Sequence, residues 1–213
     1  MTTLSATRYL DYEHPAVAAF VREVAGDASS EVEKAKRLFV AVRDRVRYDP
    51  YQIELLPEQL TASATLLRRR AFCVPKAVLL AAALRAVGIP TRLGFVDVTN
   101  HLATPRLLDA LKTHVFAFHG YVVARLGERE IKITPAFDSR LCAFFGVPPL
   151  EFDGEHDAML QAFDGQGRAF LEYLRDRGLY DDFPYDEMLR VWTEVYPHLM
   201  GPGGAWSIAA EGA

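Results

Sequence analysis

A chain of 213 residues is long enough for one sizeable core, and with 50% hydrophobic and 24% charged residues it lies outside the disordered and membrane-spanning classes. A net charge of −4 gives no electrostatic footprint for nucleic acid; the N-terminal stretch has acidic residues early and no apolar run of signal-peptide length, and nothing downstream approaches a membrane span, so a cytoplasmic protein with neither nucleic acid nor membrane as partner is expected. Two cysteines, Cys73 and Cys142, are too few for a disulfide framework, and reduced thiols are the default.

Pro15 to Val24 reads as a first helix, with proline in its opening turn and Gly26 beyond its end. Ser30 and Glu33 form a capping-box pattern ahead of Val32, Ala35, Leu38, Phe39, Val42 and Val46, whose spacing gives one apolar helical face. After a Tyr48-Asp-Pro-Tyr51 turn, a third helix is expected from about Pro75 to Val87, closed by Gly88 and Pro90. Val78 to Leu84 leave it hardly any polar face, which makes it the central helix. Thr91 to Val98 reads as a strand, Thr104-Pro105 opens a short helix through about Lys112, and His114–Leu126 followed by Glu130–Phe137 reads as a β-hairpin. Helical pieces over Ala169–Arg177 and Tyr185–Tyr196 follow. This order predicts an α+β fold in which an antiparallel sheet packs on the central helix. The expected organisation is a single domain over residues 1–198, with its core at about 30–138, a helical extension at 139–198, and a flexible tail at 199–213.

Cys73 stands at the mouth of the central helix, where unpaired backbone N–H groups and the positive end of the helix dipole favour a thiolate; Arg68, Arg69 and Arg70 lie just upstream. The placement suits a nucleophile whose own N–H can face a developing oxyanion, against the plainer alternative of a small buried hydrophobe. Cys142, within an apolar segment, reads as core packing. The hairpin strand offers two bases, His114 and His119, whose odd separation sets them on opposite faces of an uninterrupted strand. His119 is followed by Gly120 and Tyr121, and the glycine leaves room for close backbone approach. With a turn at Gly127 to Glu130, Leu126 is expected to pair with Ile131, which sets His119 opposite Asp138 with Thr134 and Ala136 nearby. Asp138 is then the candidate acid to orient the imidazole.

These residues resemble the transglutaminase-like superfamily, in particular its bacterial cysteine-peptidase-like branch. Cys73 opens the helix, Ala81 to Leu84 follow, and Arg85, Gly88, Ile89, Pro90 and Arg92 complete the family's leucine-arginine-x-x-glycine-isoleucine-proline-x-arginine phrase. His119-Gly120-Tyr121 matches its histidine–small–aromatic motif, Arg43 to Tyr48 looks like the helix end before the family's cysteine, and Pro148 to Gly154 looks like the bacterial branch. The likeness covers about Ser30 to Asp138. Two positions depart from it: Ala71 stands where the family commonly has glycine, and Thr134-Pro135-Ala136 where it usually has aspartate-proline-threonine.

The resemblance implies a papain-like core and a triad of the Cys-His-Asp type, with Cys73 as nucleophile, His119 as base and Asp138 or Thr134 as orienter. It implies acyl transfer at amides, by hydrolysis, deamidation or crosslinking, on a peptide, protein or small amide substrate and without a cofactor. Tyr48 or Tyr51 is a candidate second oxyanion donor, and His101 a candidate cleft residue. A catalytically inactive binding module on the same fold is the alternative. A metal site drawn from Cys73, His101, His114, His119 and His156 finds no support in Cys-x-x-Cys or His-Glu-x-x-His spacing. The acidic cluster of Glu151, Asp153, Glu155 and Asp157 lacks EF-hand intervals and reads as a solvated loop.

Overall fold

The capping signals in the sequence open helices where they stand in the computed structural model, which describes residues 3–101, 103–159, 171–201 and 206. Helix α1 spans Pro15–Ala25, with proline in its first turn. Helix α2 spans Glu31–Arg45 and starts at Ser30, whose hydroxyl accepts the Glu33 N–H at 3.1 Å. Strand β1 (Arg47–Tyr48) leaves α2 directly, and α3 (Ala62–Arg68) is capped by Thr61. Strand β2 (Arg70–Ala71) then leads into the central helix α4, which begins at Cys73 rather than Pro75 and ends at Ala86. Next come β3 (Thr91–Asn100), α5 (Pro105–Leu111, capped by Thr104) and β4 (Val115–Leu126). The chain continues through β5 (Arg129–Ile133), α6 (Ser139–Phe145), β6 (Leu171–Tyr180) and α7 (Tyr185–Val195).

The main sheet is antiparallel with strand order β5-β4-β3-β6, and β1 and β2 form a separate two-residue parallel ladder. Helix α4 packs on β3 and β4 and is covered by α2 and α3. Val74 and the run from Ala77 to Leu84 have no exposed surface, which matches a helix apolar on all sides. Each fully buried leucine in that run contributes about 1.5–3 kcal/mol of hydrophobic stabilisation. The α+β architecture and the central helix against an antiparallel sheet are as the sequence predicts.

Two polar residues nevertheless lie inside this helix, and both serve as stitches. Lys76, with no exposed surface, donates to the carbonyls of Arg43 at 2.8 Å and Val46 at 2.6 Å, satisfying the otherwise orphaned end of α2. Arg85 donates to the carbonyls of Ser5, Thr91 and Asp181, tying the N-terminal segment, the start of β3 and the connection between β6 and α7 to the helix. The Pro148 to Gly154 segment acts likewise: Arg43 holds the Leu150 carbonyl at 2.6 Å, and the Phe152 ring meets Phe39 edge-on at 5.7 Å.

Three expectations are corrected. The segment expected as a helix over 169–177 forms strand β6 from Leu171, pairing with β3, so the extension after residue 138 is not all helical; residues 169 and 170 lie outside the described residues. The hairpin turns more tightly than expected: Leu126 pairs with Arg129 and Ala124 with Ile131, and β5 ends at Ile133. The tail is anchored where it is described, since Leu199 is buried and Trp206 packs against Trp192 at 4.7 Å; residues 202–205 and 207–213 lie outside the described residues. Among the described residues no helix is long and apolar enough to cross a membrane.

Candidate active site

The β1–β2 ladder sets Tyr48 beside Ala71 and delivers Phe72 in extended conformation, so that Cys73 becomes the first helical residue. No side chain caps this helix, which leaves its first N–H groups without intrahelical partners. The backbone N–H groups of Gly120, Val74 and Cys73 act on the sulfur and favour its anion, as does the Lys76 ammonium. Desolvation outweighs them and pushes the thiol up to about 11, so the thiolate expected from helix position alone is not the resting form. Two of the upstream arginines are engaged elsewhere: Arg70 pairs with Asp49 at 3.5 Å, and Arg68 donates to the Gln59 carbonyl.

Gly120 is where the sheet meets the helix mouth. A Cβ at this position would lie 3.1 Å from Val74 Cα and 3.3 Å from Ala77 Cβ, so a glycine is needed for the approach. The residue before it, His119, is buried, and burial lowers its imidazole to about 4. Both groups are therefore neutral at pH 7.

His119 owes its placement to a β-bulge. Val96 pairs with His119 and Val98 with Phe116, so Asp97 alone faces both Ala117 and Phe118. Phe118 takes a left-handed backbone with φ of 64°, which costs a bulky residue about 1–3 kcal/mol. Side chains replace the lost ladder bonds. The Ala117 N–H donates to the Tyr196 hydroxyl at 2.7 Å, the Ala117 carbonyl accepts the Trp192 indole N–H at 3.1 Å, and the Phe118 N–H donates to Asp97 Oδ1 at 3.0 Å. The Phe118 ring stacks on Phe95 at 4.5 Å. This bulge breaks the simple alternation expected along the strand, and His114 lies exposed just before β4 begins.

Among the described residues the ring of His119 meets a hydroxyl and not a carboxylate. Thr134 Oγ1 lies 3.5 Å from His119 Nε2 and 3.4 Å from the Gly120 carbonyl oxygen, both at the long edge of hydrogen bonding. Asp138 does not reach the ring. Its Oδ1 accepts the N–H groups of Arg140 and Leu141 at 3.1 Å each as the cap of α6, and its Oδ2 accepts the Tyr48 N–H at 2.8 Å. The register error explains the difference, because a hairpin shifted by two residues and ending at Ile133 carries Asp138 past the histidine. An aspartate just before a helical apolar segment is itself a readable cap signal, and sequence reasoning missed it here.

Cys73, His119 and Tyr48 line one narrow cleft, with about 50 Å³ open to water-sized molecules, walled by Phe72, Trp192 and Tyr196. Past Tyr48, Pro50, Asn100, Leu107 and Phe137 it adjoins an apolar chamber of about 280 Å³ that Cys142 helps to line. Tyr51 borders that chamber, with its hydroxyl 2.6 Å from Thr104 Oγ1, and is not on the cleft with Cys73. His101 is exposed and 4.0 Å from Glu172, while its neighbour Asn100 lines the cleft instead. In the acidic loop Asp153 caps the N–H groups of Glu155 and His156, and Asp157 accepts the Lys132 N–H at 2.8 Å. Among the described residues no group of His, Cys, Asp and Glu is placed to hold a metal ion.

The pattern of the transglutaminase-like superfamily matches residues 18–127, and the chain belongs to that superfamily. The matched stretch contains Cys73 and His119 and ends ahead of Thr134 and Asp138. No curated protein matches the chain. Among solved structures it is similar to a candidate cysteine protease from Cytophaga hutchinsonii, at 17% identity and a TM-score of 0.49, over 83% of this chain and 52% of that one. It is also similar to a candidate protease from Parabacteroides distasonis, at 16% identity and a TM-score of 0.38, over 54% of this chain and 22% of that one. The chain thus spans about half the length of the first and less than a quarter of the second.

Proposed function

We propose that the protein is a thiol-dependent acyltransferase or hydrolase acting at amides, with Cys73 as nucleophile and His119 as base. The observation that carries this reading is the convergence of a helix-opening thiol and a buried, neutral imidazole on one cleft. A neutral imidazole can accept the thiol proton, and a thiol at about 11 beside a ring at about 4 puts that transfer in step with attack and not before it. If the Thr134 hydroxyl donates to the Gly120 carbonyl, its oxygen is left to accept the Nε2 proton, which fixes the tautomer with a bare Nδ1.

The steps follow from these protonation states. Cys73 sulfur bonds to the amide carbon as its proton passes to His119; the oxyanion so formed faces the backbone N–H groups at the mouth of α4, those of Cys73 and Val74 among them. The carbon–nitrogen bond then breaks and the nitrogen takes the proton from the imidazolium. Water resolves the thioester to a carboxylic acid and free thiol, or an amine resolves it to a new amide. The test is to incubate the protein with a mixed amide-bearing peptide pool and hydroxylamine and to search for peptide hydroxamates. Hydroxamates that vanish in Cys73→Ala and fall sharply in His119→Ala support the reading; their persistence in Cys73→Ala overturns it.

A second reading is favoured by the absence of a carboxylate on His119 among the described residues: a binding module that keeps the cleft without turnover. It predicts peptide binding with no hydroxamate from any pool.

A further inference from the structure

The bulge that carries His119 is held by a buried ion pair that the proposed chemistry does not itself use. Asp97, buried at the bulge, receives Arg177 from β6 through Nε at 3.0 and 3.1 Å and through a terminal nitrogen at 2.6 Å. The same Asp97 Oδ1 accepts the Phe118 N–H. The β3–β6 ladder also slips on both sides of Asp97, between Phe95 and Val96 and between Asp97 and Val98, so both neighbours of β3 are irregular at this level. An aspartate buried in a sheet is costly unless paired and hydrogen-bonded, and here its pairing coincides with a left-handed phenylalanine one residue before the base.

We infer that Asp97, clamped by Arg177, is a positioning residue that sets the bulge at Ala117–Phe118 and so directs the His119 ring into the cleft. The effect is transmitted through the backbone. A bulged residue loses its ladder partner, and an unpaired buried N–H is unstable. By accepting that N–H, Asp97 makes the left-handed turn at Phe118 the satisfied arrangement. Without it, Phe118 relaxes toward ordinary strand geometry, which rotates the next residue away from its place. Arg177 prevents the carboxylate from turning elsewhere, and Trp192 and Tyr196 hold Ala117 on the adjacent side.

This inference rests on His119 being the base, and the experiment separates the two claims. Wild type, Asp97→Ala, Asp97→Asn and His119→Ala are compared in two readouts, at a temperature well below the unfolding transition of each, where all are folded. The first is the titration midpoint of the His119 ring by NMR; the second is the rate of iodoacetamide labelling of Cys73 at pH 7, mapped by mass. In Asp97→Ala the ring midpoint should rise from about 4 toward about 6.5 as the ring gains solvent. Labelling should slow at least about 10-fold, a fraction of what a general base supplies. Asp97→Asn keeps an oxygen for the Phe118 N–H and should fall between. A lost side-chain contact that only lowered stability would move neither readout in the folded protein. Unchanged midpoint and labelling in Asp97→Ala overturn the inference. If His119→Ala labels as fast as wild type, the base assignment fails while the ring midpoint still decides the positioning role. Should Asp97→Ala fail to fold, Asp97→Asn and Arg177→Gln decide on the same two readouts, wild-type values in both counting against it.

Discussion

Asp138 Oδ2 accepts the Tyr48 N–H at 2.8 Å, a bond spanning ninety positions of chain that joins the cap of α6 to the β1 strand beside the cysteine. The carboxylate thereby organises the wall of the cleft and leaves the ring of His119 to Thr134. Asp138→Ala should lower stability by about 2–4 kcal/mol, from a lost helix cap and an unpaired buried N–H. Asp138→Asn, an equally good cap, should cost at most about 1 kcal/mol. It should also leave Cys73 labelling within about twofold of wild type, far from the roughly 10⁴-fold penalty of removing the acid from a serine-protease triad. Labelling in a folded Asp138→Asn as slow as in His119→Ala would return the carboxylate to the ring.

Gly120 bears on both catalytic candidates because it is the point where β4 rests on the mouth of α4. In Gly120→Ala the added methyl meets backbone at Val74 and the Ala77 methyl group, so strand and helix must separate by a few tenths of an ångström. The expected loss is about 1–3 kcal/mol, as for other overpacked sites, readable by urea unfolding. Cys73 labelling should change as well, since the Gly120 N–H is one of the groups acting on its sulfur. A Gly120→Ala protein of wild-type stability and labelling would show that this contact is soft.

Most of the scaffold was legible because its signals are local. Ser30, Thr104 and the Pro75–Gly88 asymmetry mark helix ends through hydrogen bonds within a few residues, and Val78 to Leu84 announce burial by composition alone. What stayed hidden depends on partners distant in sequence. The strand at Leu171–Tyr180 has exposed charged residues that pattern like a helix surface, and only β3 makes it a strand. The bulge at Phe118 has no glycine to betray it, because Asp97, Trp192 and Tyr196 supply its missing bonds from elsewhere in the chain. The expected partner of the imidazole followed from a register, and a turn two residues shorter takes Asp138 away from the position opposite His119, so that the hydroxyl near the ring is that of Thr134.

The thiol state is directly measurable. With burial holding Cys73 up to about 11, the thiolate absorbance that distinguishes wild type from Cys73→Ser should be missing at pH 7 and appear with a midpoint near that value. Cys142 is likewise raised to about 11 and is common to both proteins, so it cancels in the difference. A thiolate band at pH 7 that disappears only in acid would show a preformed thiolate–imidazolium pair, and proton transfer would then precede attack.

The imidazole makes a matching statement about stability. Its folded value of about 4 lies below the unfolded value of about 6.5, so between those pH values the unfolded chain binds a proton that the folded protein refuses. Stability from this group is therefore complete above about pH 6.5 and is lost as pH falls toward 4. At 1.36 kcal/mol per unit, the loss on going from pH 7 to about pH 4.5 is about 2–3 kcal/mol. Urea unfolding of wild type and His119→Gln at the two pH values isolates it, because every other carboxylate and histidine is shared. Wild type should lose about 2–3 kcal/mol more than the variant. The same pH dependence in both proteins would mean that the ring is hydrated in the folded state, and a solvated histidine would be cationic below pH 6.5 and unable to accept the Cys73 proton there.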